Sequence, residues 1–137
     1  MSPFPDPLPV RWLSVFLDLP AASHAAGTAF WCEVTSSRLS PVRGAHGEFA
    51  TLLPPSGTPW LRVQRLGSGP ARTHLDVHVD VTGTGLDDAA RRARELGARE
   101  LHREGDVVVL TSPGGYRFCL VEWDGAACAD ILPRCLP

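Results

Sequence analysis

Hydrophobic and polar residues alternate in two short stretches of the chain, WLSVFLDL (12–19) and HLDVHVDV (74–81). A period of two is typical of a β-strand with one buried face. In the second stretch the polar positions are His74, Asp76, His78 and Asp80. The pattern therefore predicts two strands, and it leaves open whether the polar row of the second is a binding site or only a solvated face.

Two other segments have the composition of helices. AASHAAGTAFWCEVTS (21–36) is rich in alanine, although Gly27 weakens it as a helix. Its larger apolar residues recur at helix-like spacing: Phe30, Trp31 and Val34. GLDDAARRARELGA (85–98) has two aspartates in its first turn, alanine and arginine inside, and Gly97 as a predicted C-cap.

The remaining strand-like segments make the chain repeat itself. They are GEFATLLPP (47–55), TPWLRVQRLG (58–67) and two runs within GDVVVLTSPGGYRFCLVEW (105–123). WLSVFLDL superposes on HLDVHVDV with Leu13 on Leu75, and GEFATLLPP falls on GDVVVLTSP. The strand of Arg62 and Gln64 then falls on the strand of Arg117 and Cys119. Each half is a strand, a helix and two or three strands, and such halves are expected to pair around a cleft.

Composition narrows the class of protein. A chain of 137 residues with 44% hydrophobic content predicts one domain with a real core. The net charge of -2 argues against nucleic acid or an anionic membrane as partner. With no secretory pattern at the N-terminus and no CxxC pair, we expect a cytoplasmic protein with reduced thiols. All thirteen basic residues are arginine, which excludes a lysine Schiff base.

Four motifs, in order, carry a family resemblance: AFWCEV, FATLLPPSG, LRVQRLGSGPARTHLDVHVD and SPGGYRFCLVEW. The chain resembles the vicinal oxygen chelate superfamily of glyoxalases, bleomycin resistance proteins and ring-cleaving dioxygenases, and it is most similar to glyoxalase-like domain proteins of actinobacterial type. The resemblance implies an α+β fold of two paired βαβββ modules, whose mixed or antiparallel sheet encloses a cleft. The expected divisions are a Pro-rich lead (1–9), module one (10–67), a linker (67–72), module two (73–123) and a tail (124–137).

On this fold, strand alternation assigns side chains to two faces. The apolar set should face the helices: Leu13, Val15, Leu17, Leu75, Val77 and Val79. The opposite set should line the cleft and bind a small organic ligand: Trp12, Ser14, Phe16, Arg62, Gln64, Arg117 and Cys119. His74, Asp76 and His78 join them as candidate catalytic residues.

The resemblance also implies a divalent ion, held by the first and last strands of each module at Trp12, Gln64, His74 and Cys119. Tryptophan has no lone pair to offer, and an amide oxygen is a weak ligand. No metal cofactor is therefore favoured. If zinc, nickel, manganese or iron is bound, the expected ligands are His74, Cys119 and Gln64.

Each candidate residue also has a purely structural interpretation. His74 fits a hydrogen-bonded polar residue, Asp76 an ion pair with His78 or Arg117, and Cys119 a small buried apolar residue. Arg62 and Arg117 lie at matching positions of the predicted modules. They fit either a pair that binds a carboxylate or phosphate, or two solvated charges on an outer face.

Three functions follow from these alternatives. The favoured one is binding of a small aromatic or anionic molecule without the usual metal. The second is an enzyme: either a metal-dependent lyase or dioxygenase using His74 and Cys119, or an acid–base catalyst using Asp76 and His78. The third is a module that acts through dimerisation. A homodimer is a possible partner in each case.

Overall fold

A computed structural model describes residues 8–123 of the chain. These residues fold as strand, helix and three strands, and then repeat that order. The first set is β1 (Val10–Pro20), α1 (His24–Val34), β2 (Arg38–Leu39), β3 (Phe49–Leu53) and β4 (Leu61–Leu66). The second is β5 (Arg72–Val79), α2 (Leu86–Glu95), β6 (Arg99–Glu104), β7 (Val107–Thr111) and β8 (Arg117–Glu122). The predicted α+β class with two βαβββ sets is confirmed.

The described residues divide into two compact units. The N-terminal unit comprises 14–73, and the C-terminal unit comprises 8–13 together with 74–123. In the N-terminal unit the strand order is β2-β3-β4-β1, with β1 parallel to β4 and the other pairs antiparallel. In the C-terminal unit it is β6-β7-β8-β5, with β5 parallel to β8 and the other pairs antiparallel. The two units therefore share one topology.

Each unit has a core between its strands and its helix. In the N-terminal unit Leu19, Ala50, Leu52 and Val63 are buried and pack with Trp31 and Cys32 of α1. In the C-terminal unit the core is a set of apolar strand residues and three alanines of α2: Val79, Val108, Leu110, Leu120, Ala89, Ala90 and Ala93. Among the described residues, neither helix is long and apolar enough to cross a membrane.

The first helix is shorter than predicted, and of its three predicted apolar positions only Trp31 packs on the core. Residues Ala21–Ser23 form a 3₁₀ turn, and α1 starts at His24. Phe30 and Val34 are 56% and 59% exposed, so their spacing did not mark the core face. Close packing takes place instead at Gly27, where a Cβ atom would lie 3.2 Å from the Leu19 side chain. The missing side chain of Gly27 allows β1 and α1 to approach each other.

The helices cover only part of the apolar set assigned to them. Leu13 and Leu75, which were expected to face the helices, are 49% and 38% exposed, so the helices do not cover these two positions. The two cores take up Leu17 and Val77, which lie nearer the ends of β1 and β5. Alternation assigned these side chains to the correct face, but it did not show how far along the strand each helix extends.

Two strands lie outside the predicted ones. β2 has only two residues, and β6 has the sequence RELHRE with all but one residue exposed. β6 lies at the end of its strand order and pairs with β7. An edge strand with both faces solvated needs no apolar alternation, so its sequence carries no strand pattern.

Candidate functional site

The polar row of β5 lies on the face of the sheet opposite α2. Val77 and Val79 pack into the core with α2, and alternation places His74, Asp76 and His78 on the other face. Asp76 is in register with Cys119 on the parallel neighbour β8. Side chains in register on adjacent strands point to the same face, so Cys119 joins the row.

Three of these side chains converge. The nitrogen, oxygen and sulfur atoms that His74, Asp76 and Cys119 can offer as metal ligands all lie within 4.8 Å of one another. The His74 Nε2 atom is 3.5 Å from the Asp76 Oδ1 atom. Their side chains are 11% and 15% exposed, and Cys119 is 9% exposed. We call these three residues the His–Asp–Cys cluster. Its donor atoms are those that bind zinc in proteins.

Two tryptophan rings surround the third residue of the row. His78 is 4% exposed, and its ring centroid lies 5.0 Å from that of Trp12 and 6.3 Å from that of Trp123. The two indole rings are 6.2 Å apart in an edge-on arrangement. The Trp123 backbone N–H donates to the Val79 carbonyl and fixes the chain just after β8. Sequence reasoning missed Trp123, although continuing the alternation Cys119, Val121, Trp123 places it on this face.

The N-terminal unit carries an arginine and two phenylalanines on the corresponding face. Arg62 of β4 is in register with Phe16 of β1 and Thr51 of β3. It is 8% exposed, and its guanidinium carbon lies 5.8 Å above the Phe16 ring. The Phe16 and Phe49 rings meet edge to face at 5.9 Å. We call Phe16, Phe49, Thr51 and Arg62 the arginine face.

Further polar residues near the arginine face were not candidates from the sequence. Asp18 is 2% exposed, in register with Gln64, and 3.7 Å from the Arg72 Nε atom through its Oδ2 atom. Arg43 donates to the hydroxyls of Ser40 and Thr51 at 3.1 and 2.7 Å. Asp18 continues the alternation of Ser14 and Phe16, so the pattern contained it. Arg43 lies in the connection before β3, where no periodic signal exists.

Strand register also shows which residues of the two units correspond. β3 matches β7 in the predicted superposition, so Thr51 corresponds to Val109. Thr51 is in register with Arg62, and Val109 is in register with Cys119. Arg62 therefore corresponds to Cys119, and the predicted match of Arg62 with Arg117 is wrong.

The same comparison changes which residue of β1 corresponds to each residue of β5. Arg62 is in register with Phe16 and Cys119 with Asp76, so Phe16 corresponds to Asp76 and Ser14 to His74. The predicted match of Trp12 with His74 is wrong by two residues. Ser14 is fully buried, at 0% exposed. The cores agree with the corrected match, because Leu19 then corresponds to Val79.

The other two candidates from the sequence, Arg117 and Gln64, belong to neither the His–Asp–Cys cluster nor the arginine face. Arg117 begins β8, is half-buried and is in register with Thr111 of β7. Gln64 is half-buried on β4, two residues beyond Arg62. Cys128 and Cys135 lie in the tail, outside the described residues.

Comparison with known proteins agrees with this architecture. The model of the family described as "Glyoxalase-like domain" matches residues 14–121. None of the curated proteins matches the chain. Methylmalonyl-CoA epimerase from Mycobacterium tuberculosis is 18% identical over 89% of this chain and 94% of its own, with a TM-score of 0.56.

Two further structures share the fold. 2,2',3-Trihydroxybiphenyl 1,2-dioxygenase from Sphingomonas wittichii strain RW1 is 12% identical, with a TM-score of 0.53 over 84% of this chain but only 42% of the dioxygenase. A glyoxalase/bleomycin resistance protein/dioxygenase superfamily member from Vibrio splendidus 12B01 is 16% identical, with a TM-score of 0.51 over 80% of this chain and 99% of its own. At these identities the structures show the fold alone. Because the family model covers most of its length, the chain belongs to the glyoxalase-like domain family.

Proposed function

We propose that this chain binds a small organic anion through the arginine face, without the four-ligand metal ion that the superfamily resemblance implies. The observation that carries the proposal is the position of Arg62, which corresponds to Cys119 of the other unit. A guanidinium has five N–H donors and no acceptor, so it cannot be a metal ligand. Its planar pair of donors suits a carboxylate or phosphate group.

The residues present do not fit the implied four-ligand centre. With His74 and Cys119 at the two positions of the C-terminal unit, the corresponding positions are Ser14 and Arg62. A neutral serine hydroxyl is a poor ligand for a divalent ion, and a permanent positive charge repels one. No step of the proposed function therefore depends on that ion.

The surroundings of Arg62 support an aromatic anion as the ligand. The Phe16 ring lies beneath the guanidinium, and Phe49 meets Phe16 edge on. Aromatic rings stack on both guanidinium groups and other rings, so this surface favours a ligand that combines an aromatic ring with an anionic group. With Arg62 only 8% exposed, its charge acts in a medium that screens it less than water does.

The proposal is tested with benzoate, phenyl phosphate and their neutral analogue benzamide, titrated calorimetrically into the full chain. We expect the two anions to bind and benzamide to bind at least roughly tenfold more weakly, because a hydrogen bond to a charged group contributes about 1.5–3 kcal/mol. Arg62→Met should remove the preference for the anions, and Arg62→Lys should restore part of it.

The matched control is Arg38→Met, because Arg38 is an exposed arginine on β2 of the same unit. It should leave the affinities unchanged. Equal affinity for benzoate and benzamide, or full anion binding by a folded Arg62→Met variant, contradicts the proposal.

A further inference from the structure

We propose that His74, Asp76 and Cys119 bind one Zn²⁺ ion per chain, with all three protein ligands supplied by the C-terminal unit. This site differs from the four-ligand centre of the superfamily resemblance, which takes half of its ligands from each module. It includes Asp76, which corresponds to Phe16 and has no counterpart in that ligand set.

The distances in the cluster are close to those of a zinc site. Zinc bonds of 2.0–2.2 Å to nitrogen and oxygen at a tetrahedral angle place these two atoms about 3.4 Å apart. The His74 Nε2 and Asp76 Oδ1 atoms are 3.5 Å apart. The Cys119 sulfur atom lies within 4.8 Å of both. A tetrahedral S–Zn–N or S–Zn–O angle brings such atoms to about 3.5 Å, so the thiol needs to move by little more than 1 Å.

Strand pairing brings the three ligands together. Two residues at positions i and i+2 of one strand share a face but do not converge on an ion without a third ligand. Here that ligand comes from the adjacent strand, because Cys119 is in register with Asp76. Backbone hydrogen bonds of β5 and β8 thus hold all three positions before any ion binds.

Charge and ligand type favour zinc over harder ions. The cluster is largely shielded from solvent, with exposures between 9% and 15%. A thiolate and a carboxylate together neutralise a divalent cation, which lowers the cost of placing each charge in a buried site. Sulfur and imidazole nitrogen bind zinc well, whereas magnesium and manganese prefer oxygen ligands. Three protein ligands also leave the fourth tetrahedral position open, as in zinc sites that bind a water or a small ligand.

The test uses Co²⁺ as a spectroscopic substitute for Zn²⁺ in the full chain. To exclude the tail cysteines, the starting protein carries Cys128→Ser and Cys135→Ser. We expect one Co²⁺ per chain, a thiolate-to-cobalt charge-transfer band, displacement by one equivalent of Zn²⁺, and no displacement by Mg²⁺. Cys119→Ser should abolish the band. Asp76→Asn and His74→Gln should each weaken Co²⁺ binding by roughly 100-fold or more, since loss of even an outer-shell partner costs 10–100-fold.

Cys32→Ser is the matched control, because Cys32 is the other cysteine among the described residues and lies in the N-terminal unit. It should keep the band. If Cys119→Ser fails to fold, as judged by circular dichroism, Asp76→Asn and His74→Gln decide the question. The absence of stoichiometric Co²⁺ and Zn²⁺ binding, or unchanged affinity in both ligand variants, overturns the proposal. Arg62→Met should bind Co²⁺ normally, which separates this result from the anion-binding test.

Discussion

Asp80, just after β5, has a carboxyl group whose pKa is lowered by hydrogen bonds from its neighbours. The Thr82 backbone N–H donates to its Oδ1 atom at 2.9 Å, and Arg11 donates to its Oδ2 atom at 3.1 Å. The hydrogen bond from the Thr82 side chain, followed by that from its backbone N–H and that from Arg11, lowers the pKa of Asp80 from 3.8 to about 2. A lowered pKa means that the native state favours the ionised form.

The first prediction concerns stability in acid. Asp80 should stabilise the native state fully above pH 3.8, and this contribution should disappear as the pH falls towards about 2. The stability difference between the protein and Asp80→Asn, measured by urea unfolding, should therefore be constant near neutral pH and shrink in that acid window. In an NMR titration Thr82→Val should raise the Asp80 midpoint more than Arg11→Met does. A midpoint of 3.8 in the unmodified chain contradicts the prediction.

At the residue scale, hydrophobic alternation predicted most residues of the candidate site, and it failed for residues that lie outside regular strands. It placed His74, Asp76 and Cys119 on one face because each lies on a regular strand. It could not place Arg43, whose position depends on the path of a loop. It also gave no distance between side chains, so the convergence of the His–Asp–Cys cluster required strand pairing to be known.

At the element scale, the end of α2 needs a glycine for two reasons: a positive φ angle and close contact with Pro113. Gly97 has φ of +112°, and a Cβ atom there would lie 3.0 Å from the Pro113 Cγ atom. Gly97→Ala should therefore destabilise the protein by backbone strain of about 1–2 kcal/mol and by an additional contact with Pro113. Gly83→Ala is the control, because Gly83 has φ of +79° and nothing within 4 Å of a Cβ. Urea unfolding should show the larger loss at Gly97, and equal losses contradict the role given to Pro113.

The hairpin of β6 and β7 gives a third prediction, because its two strands differ in burial. Leu110 of β7 is 0% exposed and belongs to the core with α2, whereas Leu101 of β6 is 37% exposed. Leu110→Ala should lower the free energy of unfolding by about 2–5 kcal/mol, the cost of lost contacts and a cavity. Leu101→Ala should cost much less. A similar loss at both positions contradicts the assignment of β6 as a solvated edge.

The same contrast explains which elements the sequence predicted. β7 was visible because VVVLT is apolar and packs on α2. β6 was not, because its position at the edge removes the burial that imposes a pattern. Both helices were predicted, α2 from its acidic first turn and alanine face and α1 from its alanine content, but the close packing of α1 at Gly27 hides which of its faces is buried.

At the scale of the whole chain, the internal repeat was predictable but its register was not. Sliding a strand by two residues leaves every side chain on the same face, so hydrophobic alternation cannot detect the slip. The predicted match of Trp12 with His74 was displaced by this amount. Strand pairing fixes the register, and it replaces a symmetric pair of arginines by Arg62 in one unit and Cys119 in the other.

This asymmetry leads to a fourth prediction, on the linkage between zinc and stability. An ion that binds only the folded chain raises the free energy of unfolding by about 2.7 kcal/mol at 100 times its Kd, and less if the unfolded thiols also bind it. We expect zinc to produce such an increase in urea unfolding, and Cys119→Ser to abolish it. Cys32 offers the comparison: burial raises the pKa of its thiol, so it is a poor thiolate ligand near neutral pH.

Cys32→Ser should therefore keep the full zinc effect. Hydrogen exchange with and without zinc locates the bound ion. Zinc should slow amide exchange most in β5 and β8, because the proposed ligands lie on these strands. An equal zinc effect in the Cys119→Ser and Cys32→Ser variants assigns the ion to another part of the chain and contradicts the site. An effect confined to proteins that retain Cys119 ties the ion to the C-terminal unit, where the His–Asp–Cys cluster lies, whereas the N-terminal unit has the positively charged Arg62 at the position that corresponds to Cys119.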